Sequence, residues 1–456
     1  MPERESFEVV VIGAGAAGLL AATRAAERGR RTLLLEKNRK PGVKILMSGG
    51  TRCNLTHATD RRGIVEAFGV QGPFLHSALA ALGPDELVAM FEAEGVATKI
   101  EETGKVFPVS NRAIDVLHAL VRMLAASGAE LALDEPATAI ERDADGYRVT
   151  TPRRTIRAER LVATVGGQSY PGCGTTGDGY AWAKSLGHKI APPRPALVPL
   201  TSNERWVAEL KGVTVPDVRI ELQETVPRDP PPSKGGARGG IEDSSIQNNN
   251  DPAATLLTQP LPAGEMARAK PRRDNDRRGS FLFTHFGLSG PVPMDVSRVV
   301  TARPQAGVWS AVCDFAPGVA ADEIAARLAA EAAQAGKRGV LNLVAELVPR
   351  RLAEALMARA GVPAERRAAE LTRGERAALV DALKRTAIPI SGSLGFKKAE
   401  VTAGGVALEE VDSRTMQSKL APNLFFAGEI LDLDGPIGGY NFQAAFSTGW
   451  LAGEKA

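Results

Sequence analysis

The chain has 456 residues, enough for two or three domains around a sizeable core, and its 44% hydrophobic content is ordinary for a globular protein. With 56 basic against 53 acidic residues the formal net charge is only +3, which does not speak for a nucleic-acid or other polyanionic partner. The three cysteines, Cys53, Cys173 and Cys313, stand far apart without CxxC spacing, so a reducing compartment and no structural metal are expected.

The uncharged stretch from Val9 to Thr23 is shorter than the roughly 18 apolar residues of a membrane span. It carries three glycines and lacks the flanks of a secretory signal, so a soluble cytoplasmic protein is expected. Within it, Glu8 to Ile12 reads as a β-branched strand, Gly13-Ala14-Gly15-Ala16-Ala17-Gly18 as a turn, and Leu19 to Arg28 as a helix. Gly13 permits a tight turn, Gly15 lets the backbone approach a pyrophosphate, and Gly18 lets helix and strand pack closely. The helix N-terminus attracts the phosphate charge. Thr32 to Leu35 reads as a second parallel strand ending in Glu36, 18 residues after Gly18, where a carboxylate accepts hydrogen bonds from an adenosine ribose and disfavours a 2'-phosphate. FAD or NAD suits such a site.

The next loop, Lys44-Ile-Leu-Met-Ser48-Gly49-Gly50-Thr51-Arg52-Cys53-Asn54, interleaves small residues and backbone donors with two cations. A loop of this length can cross a pyrophosphate and reach a flavin ring, which a simple NAD dehydrogenase does not require. Downstream, Asn111 to Ser127 has a helical apolar face at Ile114, Leu117, Leu120, Val121 and Leu124, and strand-like runs follow at Glu130 to Leu133, Tyr147 to Thr151 and Arg160 to Val165, the last leading to Gly166-Gly167.

From Ala196 to Phe315 short β-rich pieces (Val218 to Leu222, Phe281 to Thr284, Trp309 to Phe315) alternate with proline and glycine, the grammar of a barrel or sandwich. Inside that stretch 227–279 is proline-rich and without apolar periodicity, and is expected to be disordered; its basic end, Arg268 to Arg278, reads as a solvated charge run. From Ala321 to Thr386 the pattern turns helical, with Thr372 and Glu375 forming a capping box. Finally Leu424 to Glu429 is an apolar strand ending in glycine and a carboxylate, followed by Gly438-Gly439-Tyr440-Asn441 ahead of a last helix.

Four long motifs occur together here: the Lys44 to Asn54 loop, Gly166 to Gly179, Leu282 to Pro291 and the Gly428 to Asn441 block. In that conjunction the chain resembles the BaiN-like bacterial flavoproteins, also called the aminoacetone oxidase family of FAD-binding enzymes. Thr51 departs from the pattern, since many relatives carry another glycine there. The resemblance implies an α/β fold of the two-dinucleotide-binding type. Its Rossmann-like FAD domain is built from both chain ends, 1–195 and 388–456, with 388–420 also assignable to the barrel. A β-barrel-like domain at 196–318 and a helical insertion at 319–387 interrupt it.

In flavoproteins of this plan Glu429 would lie near the ribityl chain, and Gly438 to Asn441 would open the last helix against the pyrimidine edge of the ring, where backbone donors and the helix dipole stabilise the reduced form. The candidate cofactor-binding residues are therefore Gly13, Gly15, Ala16, Ala17, Gly18, Glu36, Lys37, Lys44, Ser48, Gly49, Arg52, Cys53, Asn54, Ala137, Gly166, Gly428, Glu429, Gly438, Gly439, Tyr440 and Asn441.

Expected chemistry is redox at a non-covalent FAD acting on a small organic substrate. The chain has no convincing second GxGxxG, since the glycines after Gly166-Gly167 open onto Tyr180 to Leu186 without the expected spacing, so NADH or NADPH as a transient donor and direct reduction by substrate both stay open, as do a flavin-dependent RNA-modifying enzyme and a flavin-binding sensor without turnover. Catalytic side chains are not identifiable. Cys53, in the ring-reaching loop, and His285, in Phe-Thr-His-Phe-Gly, are the candidates, against a packing cysteine and a locally bonded loop histidine. Asp178 reads as the cap of a helix opening at Gly179.

Overall fold

A computed structural model describes residues 4–225, 275–303, 308–334 and 337–456. Five parallel strands form its centre, in the spatial order Leu424–Phe426, Thr155–Ala163, Arg4–Ile12, Thr32–Leu35 and Glu130–Ala132. Arg4–Ile12 is continuously apolar at its end because the sheet is covered on both faces. Alternate side chains go to opposite cores: Val9 and Val11 pack with Leu34, Val162 and Phe425, whereas Val10 and Ile12 pack with Leu33, Leu35 and Leu161.

From the first strand the chain passes through helix Ala16–Glu27 to Thr32–Leu35 on one side, and later lays Thr155–Ala163 on the other. The strand order thus reverses at the glycine turn, and the crevice at such a point is where an open α/β sheet binds ligands. Ala16–Glu27 packs against Ala113–Ser127 and against the C-terminal helix Tyr440–Lys455. The second contact is backbone to backbone. A Cβ at Gly449 would lie 2.3 Å from the Ala17 carbonyl oxygen, and one at Gly453 2.2 Å from that of Ala21.

A second sheet has seven antiparallel strands, in the order Thr386–Ile390, Val308–Asp314, Thr214–Thr225, Asp276–Thr284, Gly287–Ser289, Leu200–Thr201 and Gly392–Ser393. The first and last of these are one run of chain joined by Ser391, whose N–H donates to the Thr201 carbonyl at 2.8 Å, so the sheet closes on itself. Phe281, Phe283 and Phe315 fill its interior edge to face. Helix Arg373–Lys384 packs on it, and helices Ala321–Ala333 and Arg350–Arg359 pack on that helix, with Leu328, Leu352, Leu356 and Leu379 in one core with the sheet. Thr372 and Glu375 exchange the capping-box hydrogen bonds that start Arg373–Lys384.

Several expectations need correction. Residues 276–279, expected to be disordered, begin strand Asp276–Thr284, where Arg278 pairs with Asp217 at 2.7 Å; the rest of 227–279 up to 274 lies outside the described residues, as does most of the basic run. The stretch 388–420 divides: 388–393 completes the closed sheet, Val401–Val406 pairs with Ile190–Ala196, and Val411–Asp412 and Gln417–Ser418 extend the parallel sheet at its edge. Asp178 is the first residue of helix Asp178–Ser185 rather than its cap, which is Gly177. Among the described residues no helix is long and apolar enough to cross a membrane.

Because the two helices touch through backbone, Gly453→Ala should destabilise the protein by about 1–3 kcal/mol through overpacking. Thermal denaturation checks this; an unchanged Tm would contradict the close approach.

Candidate functional site

A cavity of about 680 Å³ runs across the switch point and is lined by both chain ends and by the closed sheet. That volume lies within the range of about 300–1,000 Å³ usual for small-molecule and cofactor sites. At one end stands the glycine turn. Gly13 has φ +100°, and a Cβ there would lie 2.7 Å from the Thr164 carbonyl; one at Gly18 would lie 1.8 Å from that of Gly13. These two glycines serve packing, whereas a Cβ at Gly15 would meet nothing within 4 Å and would project into open space. Gly15 is also the N-cap of Ala16–Glu27, without a side-chain cap and without an acid in the first turn. The free N–H groups and positive end of that helix are left for an anion.

Glu36, buried at the end of the second strand, accepts hydrogen bonds from the Ala14 and Asn38 N–H groups, each at 2.8 Å. The carboxylate is thereby held at the cavity wall beside the glycine turn. Farther along, helix Val43–Met47 brings Lys44 to Glu429, which it meets as an ion pair at 2.5 Å. The Lys44 Nζ also donates to Ser169 Oγ at 2.6 Å; Ser169 Oγ donates to Glu429 Oε1 at 2.5 Å, and the Thr402 N–H to the same oxygen at 2.8 Å. One carboxylate thus ties together four separate parts of the chain. Arg52 pairs with Glu101 at 2.7 Å and lies over the Phe107 ring at 4.0 Å. Thr51 has φ +70°, a left-handed conformation that a β-branched residue occupies only at a cost, so the departure from glycine at this position carries backbone strain.

The far wall is Gly438-Gly439, with φ +139° and +96°. A Cβ at Gly439 would lie 2.4 Å from the Thr56 carbonyl. Gly439 caps helix Tyr440–Lys455 without a side-chain hydrogen bond and without an acid in its first turn, so a second helix N-terminus opens at the same cavity. Asn441 folds the preceding loop, accepting from Gly435 N at 2.8 Å and donating to Gly435 O at 2.9 Å.

Of the residues expected from sequence, Gly13, Gly15, Ala16, Ala17, Glu36, Lys37, Lys44, Ser48, Gly49, Arg52, Asn54, Ala137, Gly166, Gly428, Glu429, Gly438, Gly439 and Asn441 line the cavity. Four do not. Gly18 is used in packing, and Tyr440 turns aside to stack on His57 at 4.6 Å. Cys53 is wholly buried in the hydrophobic core, where burial pushes its thiol up to about 12, so it is a packing residue and not a redox thiol. His285 is exposed at the turn between Asp276–Thr284 and Gly287–Ser289, against Phe286, and not over a ring-binding surface. Lys105 and Glu400, which no sequence motif marks, also line the cavity, as does Tyr170, which lies in the Gly166 to Gly179 motif but is not among the residues expected there.

A flavin adenine dinucleotide fits this donor set: two uncapped helix N-termini for phosphate and for the electron-rich pyrimidine edge, a fixed carboxylate for ribose hydroxyls, and a glycine whose missing Cβ leaves the approach open. Gly15→Val should leave folding intact and strongly reduce flavin retention, read as the ratio of visible to protein absorbance after purification; full occupancy would refute the assignment. Thr51→Gly should relieve about 1 kcal/mol of net strain and raise Tm without loss of flavin.

A family model described as "HI0933-like protein Rossmann domain" matches residues 7–455. The ribosomal RNA dihydrouridine synthase of Escherichia coli (strain K12) is 30% identical over 454 residues, 99% of this chain and 98% of that protein. The 3-dehydro-bile acid delta(4,6)-reductase of Clostridium scindens is 27% identical over 449 residues, covering 98% of each chain. A second ribosomal RNA dihydrouridine synthase, from Haemophilus influenzae, is 27% identical over 97% of this chain and 96% of its own. The glycine turn, the two helix N-termini and the near-complete family match lead to one conclusion: the chain belongs to the HI0933-like family of Rossmann-domain, FAD-binding oxidoreductases.

Proposed function

We propose that this protein is an FAD-dependent reductase that saturates a carbon–carbon double bond conjugated to a carbonyl. The observation that carries this reading is the continuity of the cavity: it runs from the dinucleotide cradle to a wall of Leu282, Pro291 and Met294 from the inserted sheet and its following helix, so a substrate can lie beside the cofactor. Relatives of full length support the chemistry, because a dihydrouridine synthase and a bile acid reductase act by name on different molecules but share this type of bond.

The glycine turn and the N-terminus of Ala16–Glu27 would hold the pyrophosphate, Glu36 the adenosine ribose, Lys44 and Glu429 the ribityl side, and Gly438-Gly439 the pyrimidine edge. When bound, the reduced flavin supplies hydride. The protein orients substrate, excludes water and manages protons. Electrons would come from NADH or NADPH docking transiently on loops, since the second glycine motif, Gly172 to Gly177, does not directly follow a strand and Gly174 lines the same cavity as the first. All three cysteines are free thiols, which fits a reducing, cytoplasmic setting.

A small conjugated carbonyl compound is the favoured substrate, because a net charge of only +3 does not argue for an RNA partner. A uracil in RNA is the second reading, favoured by the E. coli relative at 30% identity. Anaerobic mixing with NADH or NADPH should bleach the oxidised-flavin band. Re-oxidation by a small enone, and not by a uracil-containing rRNA fragment, bears out the first reading; the reverse selects the second. If amines drive oxygen uptake while neither nicotinamide bleaches the flavin, the protein is an oxidase and the proposal falls. Bleaching and turnover with nothing would favour a sensor.

A further inference from the structure

Charged groups on the cavity wall are almost all spoken for. Glu36 accepts from two backbone N–H groups, Glu135 pairs with Arg154 at 2.9 Å, Asp178 with Lys37 at 2.6 Å, and Glu429 with Lys44. Arg52 is paired with Glu101. Two groups break the pattern. The side chains of Glu400 and Lys105 line the same cavity and make no hydrogen bond or ion pair with any described residue. Glu400 is exposed and Lys105 half-buried, and a carboxyl and an ammonium left unpaired on the wall of a cofactor-sized cavity are the kind of groups that act on a ligand.

The backbone around Glu400 is rigid. Its N–H donates to the Leu197 carbonyl at 3.0 Å, and Thr402, two residues on, anchors Glu429. Tyr170, also on the wall, donates its N–H to the Phe396 carbonyl at 3.0 Å and so ties its loop to the segment leading into Glu400. Four titratable groups face Glu400: Lys44, Lys105, Asp295 and Tyr170. Although the residue is exposed to solvent, desolvation by the surrounding walls holds its carboxyl above the usual range, and the Asp295 charge adds to this against the pull of Lys44 and Lys105. Burial, and then the Glu400 charge, raise the Tyr170 phenol, which stays protonated.

Resting on the reductase reading above, we propose that Glu400 is the general acid of the site and Lys105 the anchor for the substrate carbonyl oxygen. The β-carbon of the conjugated bond receives a hydride from the reduced flavin, and the π pair moves toward the oxygen as an enolate held by the Lys105 ammonium. The α-carbon then takes the Glu400 proton, leaving a carboxylate that water reprotonates. The substrate gains two electrons, as hydride, and one proton; the nicotinamide donor restores the flavin. The sign of the pH effect follows: the proton-transfer step is fast while Glu400 is protonated and declines as pH rises through its raised pKa.

The test uses purified holoenzyme with Glu400→Gln, Glu400→Asp and Lys105→Met, with 2-cyclohexen-1-one as the probe. Glu400→Gln is expected to keep its flavin content and its rate of bleaching by the nicotinamide donor. Its re-oxidation by the enone should slow by about 10²–10⁴-fold, the span of general-acid effects. The alkaline limb of the pH profile should disappear in Glu400→Gln and persist in Glu400→Asp. Difference infrared spectra across a pH series give a readout independent of turnover: the wild type should show a protonated-carboxyl band that Glu400→Gln lacks. Lys105→Met should weaken enone binding to the oxidised holoenzyme, followed by its flavin spectral shift. Enone re-oxidation of Glu400→Gln at the wild-type rate, or an infrared band unchanged by the substitution, overturns the role of Glu400 alone. A wild type that bleaches but that no conjugated alkene re-oxidises overturns the reductase reading and this role together.

Discussion

The close approach of the first and last helices is the constraint on which the site depends. Ala16–Glu27 and Tyr440–Lys455 each begin at the same edge of the parallel sheet, and Gly449 and Gly453 let them touch without intervening side chains. Two helix N-termini, each lacking a side-chain cap, are thereby brought to one cavity although their first residues lie more than four hundred positions apart in sequence. Orphan N–H groups and the positive ends of the helix dipoles converge there, which is an arrangement for a ligand rich in negative charge at both its ends. A bulkier residue at either glycine would widen the helix spacing and pull the two N-termini out of register.

Electrostatics then divides the cavity. Along the cofactor side each carboxylate is matched by a backbone donor or a cation, so those groups orient and do not react. Glu429 is the extreme case, with Lys44, Ser169 and Thr402 all pointing at it. Glu400 and Lys105 are unmatched, and they belong to elements far apart in the chain: Glu400 just before Val401–Val406, Lys105 at the start of the short strand Lys105–Pro108. The wall built by the closed sheet is apolar at Leu282 and Met294. Fixed polar groups for the cofactor and free ones beside an apolar wall form a division of labour suited to an enzyme whose cofactor carries the redox chemistry.

Much of the cofactor half was legible in the chain itself. Gly13, Gly15 and Gly18 each answer a local demand, a positive φ, an open approach or a close packing, that only glycine meets, and Glu36 sits at the distance dictated by one strand, one helix and one more strand. Gly438-Gly439 before a helix carries the same kind of local signal. Cys53 and His285 were misleading because residue type and loop position say nothing about which way a side chain faces. Cys53 turned into the core beside Leu55, and His285 stayed on a hairpin turn.

By itself, then, the sequence determined the class of fold, the FAD cofactor and most of the residues that line the cavity at the switch point, since each of these rests on local geometry repeated within a few residues. Tertiary structure alone decided which polar groups were left without partners. Glu36, Glu135, Asp178, Glu429 and Glu400 are all carboxylates, and only contacts in space, such as Lys44 reaching Glu429 across 385 positions, show that four are satisfied and one is not. The physical reason is that pairing is a property of space: a place on the cavity wall and a missing partner set the chemistry of Glu400, and neither is written in its neighbours along the chain.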